Sequence, residues 1–363
     1  MKLVVRSLLV FATACDSHAT STPVDATSRD APAIAPELAY VTNSDDNTVS
    51  QFAIAADGSL TEIGTPIATG MGPSSIAVDP AGKFVYVADR DDNTLSAFAI
   101  GSDGTLSAIG APMPAGEEPY FAVVDRSGAH LYIVDYGTGL QDSTVSQFTI
   151  GATGELAAIS PAASAGAVAT SLAFDRTGEH AYLTNFYDDG NVSEFSVGAD
   201  GSLTLSATVM VASGDTPYVA VADPAADYLY VAEDNENTIT RYAIGSDGAL
   251  SGGVDVSVGT DPGAIAIDAT GAHLYETNRE SHNLQAFAVA ADGSLTAIAA
   301  APIAAGTGPI SAAVDGSGHD LYVVSSEDDT VLHFTIASDG SLTFVATVPT
   351  QRTPTSIVTV RGA

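Results

Sequence analysis

Along most of the chain, hydrophobic and polar residues alternate in short bursts with a period of two, and turn-forming residues separate the bursts. Thr48-Val-Ser-Gln-Phe-Ala-Ile54, Thr94-Leu-Ser-Ala-Phe-Ala-Ile100 and Thr330-Val-Leu-His-Phe-Thr-Ile336 show the pattern. Such alternation sets every second side chain against a core and predicts half-buried β-strands. The bursts also recur as a larger unit. Tyr40, Tyr86, Tyr132, Tyr182, Tyr230, Tyr275 and Tyr322 each lie in a short apolar strand, such as Ala39-Tyr-Val-Thr-Asn43, Val85-Tyr-Val-Ala-Asp89 or Leu321-Tyr-Val-Val-Ser325. A polar loop and an alternating strand follow each tyrosine strand. Then comes a tight turn, Asp-Gly at 57, 103, 200, 247, 292 and 339, with Thr153-Gly154 in the third repeat. Glycine accepts φ > 0 without a steric penalty, so these pairs predict hairpins.

A third strand follows the hairpin, for example Leu60 to Ile67, and a Gly-x-x-Pro loop leads to a fourth, apolar one. Pro73-Ser-Ser-Ile-Ala-Val-Asp79, Pro217-Tyr-Val-Ala-Val-Ala-Asp223 and Pro354-Thr-Ser-Ile-Val-Thr-Val360 are of this type. An Asp-x-x-Gly turn (Asp79 to Gly82, Asp125 to Gly128, Asp175 to Gly178) returns to the next tyrosine strand. Four strands in each of seven repeats predict an all-β, seven-bladed propeller. The small apolar strand after the proline should be innermost, where the blades converge. The chain starts on a tyrosine strand near Leu38 and ends on an inner strand. The last blade should therefore combine three N-terminal strands with the C-terminal one, which closes the ring and removes an open edge. The propeller is expected to occupy 38–363.

Ahead of it, Lys2 and Arg6, the apolar stretch Leu8-Leu9-Val10-Phe11-Ala12 and the small residues before Cys15 describe an export signal over 1–15. Cys15 is the single cysteine, so no disulfide can form within the chain. Its position is similar to that of the lipidated cysteine in a bacterial lipoprotein signal. Residues 16–37, rich in Ser, Thr, Ala, Asp and Pro, are expected to form a flexible tether. The chain is then expected to be an exported protein of the bacterial cell envelope, periplasmic or at the surface, whose one route to a membrane is a lipid at Cys15; the alternative is an ordinary cleaved signal with an incidental cysteine.

Charge narrows the partners. Eleven Lys and Arg against 44 Asp and Glu give a formal net charge of −33. Phosphate backbones and anionic lipid surfaces would repel such a chain, which excludes nucleic acid as a partner. The expected partner is a small molecule, a glycan or a protein on the loop face, and the chain itself is expected to be a monomer.

Ala39-Tyr-Val-Thr-Asn43 and the Asp-Asp-Asn-Thr-Val run after it resemble the YVTN β-propeller repeat. Over residues 38 to 360 the wider pattern resembles the seven-bladed lactonase-like family, which includes 6-phosphogluconolactonase and muconate lactonising enzymes. The resemblance implies a site of His, Arg and acidic residues around the mouth of the axial channel. The family often carries Pro-His at the start of an inner strand. Here that place is Pro119-Tyr120, so the most obvious general base near neutral pH is absent. Asp135-Tyr-Gly-Thr-Gly-Leu-Gln-Asp142 is similar to a stretched form of the family's Asp-x-Gly-x-Asp loop.

The loops after the tyrosine strands and the Gly-x-x-Pro loops should share one face of the disc, and the two kinds of Gly turn the other. Loops on a rigid scaffold carry function, which directs attention to the first face. Ligand-binding candidates there are Arg90, Glu117, Tyr136, Asp215, Tyr218, Asp261, Arg279 and His282; an arginine near the mouth can clamp a carboxylate. Catalytic candidates are Glu118, Tyr120 and Arg352. His130, His180, His273 and His319 fall beside turns on the opposite face. The Asp-Asp-Asn loops have the hard oxygen donors that Ca²⁺ prefers, although their spacing fits no EF-hand and such residues also cap strand ends. Two functions stay open: a ligand- or protein-binding module, and a lactone hydrolase with its site at the channel mouth.

Overall fold

The period-two segments become seven antiparallel sheets that form the blades of a propeller. The computed structural model describes residues 37–138, 143–187, 190–211, 216–299 and 301–361. The expected leader, Cys15, nearly all of the tether, and Asp142, Asp188, Asp189 and Asp215 lie outside the described residues. No helix occurs among the described residues. The inner strands of blades 1 to 6 are Pro73–Val78, Pro119–Val124, Ala169–Phe174, Pro217–Ala222, Pro262–Ile267 and Pro309–Val314. Each pairs with the tyrosine strand that follows it, beginning with Phe84–Asp89 in blade 1 and ending with Asp320–Ser325 in blade 6. Blade 7 is composite. Its inner strand Pro354–Arg361 pairs antiparallel with Glu37–Asn43, which continues to Thr48–Ile54 and Leu60–Glu62. The inner strands touch in an unbroken ring.

The outer strands depart from the expected single run. Leu60–Glu62 and Ile67–Ala68 pair separately with Thr48–Ile54, where one strand from Leu60 to Ile67 was expected. Gly64 has φ 66° and Pro66 lacks an N–H, so the edge between them cannot hold the ladder. Blade 1 breaks in the same way at Gly110 and Pro112, whereas Leu203–Met210 of blade 3 and Leu250–Ser257 of blade 4 run continuously.

Packing explains the tyrosine repeat. Each of the seven tyrosines is fully buried, and each core cluster joins two adjacent blades, such as Tyr132 and Val134 of blade 2 with Leu172 and Leu183 of blade 3. Every tyrosine hydroxyl also donates to the carbonyl of the hairpin glycine in the next blade. Tyr86 reaches Gly154 at 3.1 Å, Tyr182 reaches Gly248 at 2.9 Å, and Tyr322 reaches Gly58 at 2.7 Å across the closure. The tyrosine strand and the hairpin turn are thus two halves of one inter-blade bond.

Three histidines belong to the same device. His130, His180 and His273 hydrogen-bond through Nδ1 to Asp125, Asp175 and Asp268, and their rings cover the hairpin glycine of the next blade. His319 bonds Ser317, and buried His333 bonds Asp320 at 2.6 Å.

The last residue of every tyrosine strand is polar and buried: Asn43, Asp89, Asp135, Asn185, Glu233, Asn278 and Ser325. In blade 1 the Asp89 carboxylate accepts from the Ser96 hydroxyl at 2.6 Å, while its other oxygen is buried without a partner. Burial pushes its pKa up to about 7. Between the ordinary carboxylate range and that value the unfolded chain has lost the proton and the folded chain still holds it. Stability should therefore fall as pH rises through this window. Asn43 and Asn185 occupy the same position and donate to Ser50 and Ser193, so an amide fits. Urea unfolding of Asp89→Asn should show a gain of about 2–4 kcal/mol at pH 8 and almost none at pH 4. An equal gain at both would show that ionisation is not the cause.

Candidate functional site at the channel mouth

Two register positions build the mouth of the axial channel. The first is the residue directly after the buried strand end: Ser44, Arg90, Tyr136, Phe186, Asp234, Arg279 and Ser326. Each donates its backbone N–H to the carbonyl just before its own blade's inner strand, from Arg90 to Gly72 at 3.1 Å to Arg279 to Asp261 at 2.8 Å. The second is the second residue of the inner strand: Ser74, Tyr120, Thr170, Tyr218, Gly263, Ile310 and Thr355. Because the backbone is nearly the same in every blade, the side chains alone differentiate the rim. The large ones gather on blades 1 to 5, and blades 6 and 7 present Ser326, Ile310, Ser44 and Thr355.

On the crowded side Arg90, Tyr120, Tyr136, Thr170, Phe186, Tyr218 and Arg279 enclose a cup of about 240 Å³. The Tyr120 and Tyr218 hydroxyls share a short hydrogen bond across the mouth. Burial, then the proximity of Tyr218, holds the Tyr120 phenol well above its ordinary pKa. Tyr136 packs on Tyr120 with ring centroids 5.6 Å apart, and Phe186 meets Tyr218 edge-on at 6.0 Å. The Arg279 guanidinium lies 4.8 Å from the Tyr218 ring centroid and donates to the Tyr218 hydroxyl at 3.5 Å. Below the cup an axial cavity of about 660 Å³ is walled by the inner strands of all seven blades.

The acidic groups set the electrostatics. Arg279 donates through Nε and Nη2 to one oxygen of Asp261. Burial alone would lower the guanidinium pKa, but Asp261 and Tyr218 raise it further. Asp234 is the group nearest neutrality here: burial first, then a hydrogen bond and charge repulsion from Asp261, push it up to about 6. Glu118 pairs with Arg90 at 3.1 Å. Glu118 and Asp261 both have positive φ, 51° and 60°, a strained conformation for a side chain with a Cβ, immediately ahead of the inner strand.

The structure thus brings together Arg90, Tyr120, Tyr136, Tyr218 and Arg279 around the cup, with Glu118 and Asp261 as their ion-pair partners. It does not bring Arg352 there. That residue is 65% exposed on the rim and is paired with Asp46 at 2.6 Å. Glu117 is exposed and accepts from Thr138 at 3.0 Å. His282 stays in its loop, where Nδ1 accepts from the Gly308 N–H at 3.2 Å. Asn47, Asn93, Asn237 and Asp329 make the equivalent bond in other blades at 2.7 to 3.0 Å, so these loop residues cap the next blade's backbone. Asp215 is outside the described residues. Among the described residues no group of three or more His, Cys, Asp or Glu is placed to hold a metal ion.

Phe186, Thr170 and Asp234 were not singled out from the sequence. The register would have found them: one residue past the buried strand end gives Phe186 and Asp234, and the second residue of an inner strand gives Thr170, whereas Tyr187 beside Phe186 is 40% exposed.

A family model described as lactonase, 7-bladed beta-propeller, matches residues 34–143 and 254–359. No curated protein sequence matches the chain. Among solved structures, a protein from Lactobacillus plantarum superposes with a TM-score of 0.79 at 19% identity, covering 90% of this chain and 100% of its own. A candidate 6-phosphogluconolactonase from Bacteroides fragilis gives 0.78 at 20%, covering 93% and 100%. The periplasmic gluconolactonase of Pseudomonas aeruginosa gives 0.78 at 18%, covering 90% and 99%. At these identities the likeness is one of fold.

Proposed function

Since this chain belongs to the lactonase family of seven-bladed β-propellers, we propose that it is an exported module that binds a small carboxylate, or the lactone formed from one, at the channel mouth. One observation carries the reading. In a chain of net charge −33, two arginines face the same aromatic cup from opposite flanks. Each is held by an acid, Glu118 or Asp261, and retains further N–H groups for a ligand oxygen. Tyrosine hydroxyls beside them suit the ring oxygen and hydroxyls of a sugar acid.

Calorimetric titration with butyrate, gluconate and their lactones tests this. Binding should weaken roughly 10- to 100-fold in Arg279→Gln, the loss of one charge-assisted bond. Absence of binding by every probe at millimolar concentration would overturn the proposal.

A second reading, hydrolysis of the lactone, is favoured by Asp234. Burial and the neighbouring Asp261 push its carboxyl up to about 6, and from the rim beside the cup it could accept a proton from an attacking water. The paired phenols and Arg279 could then stabilise the oxyanion formed at the carbonyl. A pH-stat assay should show turnover in the wild type and at least a 100-fold loss in Asp234→Asn, a general-base effect. Binding without turnover would leave the module reading standing.

Export rests on the signal-like segment ending at Cys15. The periplasmic location named for the Pseudomonas aeruginosa relative is in keeping with it. Labelled palmitate should enter the wild type and be absent from Cys15→Ala; equal labelling would exclude lipidation.

A further inference from the structure

The axial cavity beneath the cup has a wall unlike its mouth. Its charged lining residues are at the two ends: Arg90, Asp91 and Arg279 above and Arg126 below. Between them no charged side chain faces the lumen, and Ile76, Val123, Leu172, Val221, Ile265 and Val358 recur around it. Six of the wall hydroxyls are engaged already. Ser74, Thr170 and Thr355 donate to the carbonyls of Pro119, Tyr218 and Pro73 in the next blade, at 2.7 to 2.9 Å. Ser75, Ser171 and Ser311 accept the N–H groups of Ala122, Ala220 and Ile357. These bonds stitch the inner strands together and leave those hydroxyls little capacity for a polar guest.

Access is lopsided. The Tyr120–Tyr218 bridge covers the lumen on the side of blades 2 to 4. Ser74 and Thr355 present small side chains on the other side and both line the cavity, while the Arg279 side chain packs over Gly263. A molecule whose anionic end is held by the arginines can therefore pass a chain down beside the bridge. Three of the eleven basic residues in the protein line this cavity, all at its ends.

We propose that the lumen is a binding site for the uncharged chain of an amphiphile, a medium-chain fatty or hydroxy acid or its lactone, whose polar head sits in the cup. This rests on the carboxylate reading above and extends it from head to tail. Inner strands of six residues give the lumen a depth of about 20 Å. Each buried methylene should then raise affinity about three- to fourfold.

The test is calorimetry of the full chain with the sodium salts of butyrate, hexanoate, octanoate and decanoate, with gluconate as a head-only probe. Affinity should climb about 100-fold or more from butyrate to octanoate. Ala264→Phe is the lumen variant. Ala264 pairs with Thr277 as Phe121 pairs with Val134, so blade 2 already carries a phenylalanine at this register. That variant should lose the dependence on chain length and keep gluconate binding. Arg279→Gln should weaken every member of the series. Affinity that is flat with chain length while gluconate binds would overturn the lumen proposal alone. A chain-length effect that survives Ala264→Phe would place the tail elsewhere and overturn it too. Failure of gluconate and every alkanoate to bind would overturn both proposals.

Discussion

A chain that ends at Thr353 should lose its cooperative unfolding transition and elute from a sizing column as aggregate. The missing strand, Pro354–Arg361, is paired along its length with Glu37–Asn43, from Leu38 opposite Val360 to Asn43 opposite Pro354. Without it, one edge of a strand that carries buried Leu38, Tyr40 and Val41 is left unpaired in the middle of the molecule. Ile357, itself buried, would leave a gap in the contact between blades 6 and 7. The inner ring would open as well, because Thr355 bonds Pro73 of blade 1 and Arg361 bonds Gly316 of blade 6. Total stabilities are only about 5–15 kcal/mol, and loss of a whole buried strand is comparable. An exposed apolar edge then favours pairing between chains. Retention of the full-length melting temperature by the truncated chain would show that closure is not needed.

The second large effect is expected at a single methyl group. Gly248→Ala places a Cβ 2.2 Å from the His180 ring carbon Cδ2, at φ 82°, in the turn whose carbonyl receives the Tyr182 hydroxyl. The histidine cannot move away freely, because its Nδ1 is bonded to Asp175 and its strand is in the sheet. The turn must shift and the tyrosine bond must break, leaving buried polar groups unpaired at about 1–3 kcal/mol in addition to the clash. A loss of more than about 3 kcal/mol in urea unfolding is expected, in the range reserved for named structural faults. Gly178→Ala is the control. Its φ of 74° is as unfavourable, but nothing lies within 4 Å of the new Cβ. It should cost only about 1 kcal/mol, the conformational penalty alone. Equal losses in the two variants would mean that the inter-blade contact contributes nothing.

The same pair of positions shows what could be read in advance. Tyr182 and Gly248 are each visible as members of a repeat, the first in an apolar strand and the second in an Asp-Gly turn. Their bond is not visible, since it joins residues 66 apart whose separation depends on blade packing. The outer strands were misjudged where Gly64 and Pro66 interrupt the edge, a local signal that the alternation on either side obscured. At the mouth, Arg90 and Arg279 were legible as cations on an acidic face, but so was Arg352. Only the blade geometry separates them: Arg352 turns to Asp46 on the rim, whereas Arg279 lies under the Tyr218 ring. Phe186 was hidden because an aromatic in a strand-end loop has no meaning until the register that aims it is known.

The sequence by itself determined the repeat, the number of blades and the composite seventh blade. All of these follow from periods of side-chain polarity and from glycines at turns, which are properties of neighbours along the chain. The tertiary structure decided the rest: the tyrosine-to-glycine bonds, the burial of seven polar strand ends, the asymmetric cup and the apolar lumen under it. These depend on which residues of different blades meet around one axis. A repeat puts the same backbone seven times around that axis, so function resides in side chains that differ between equivalent positions, and their convergence exists only when the ring is closed.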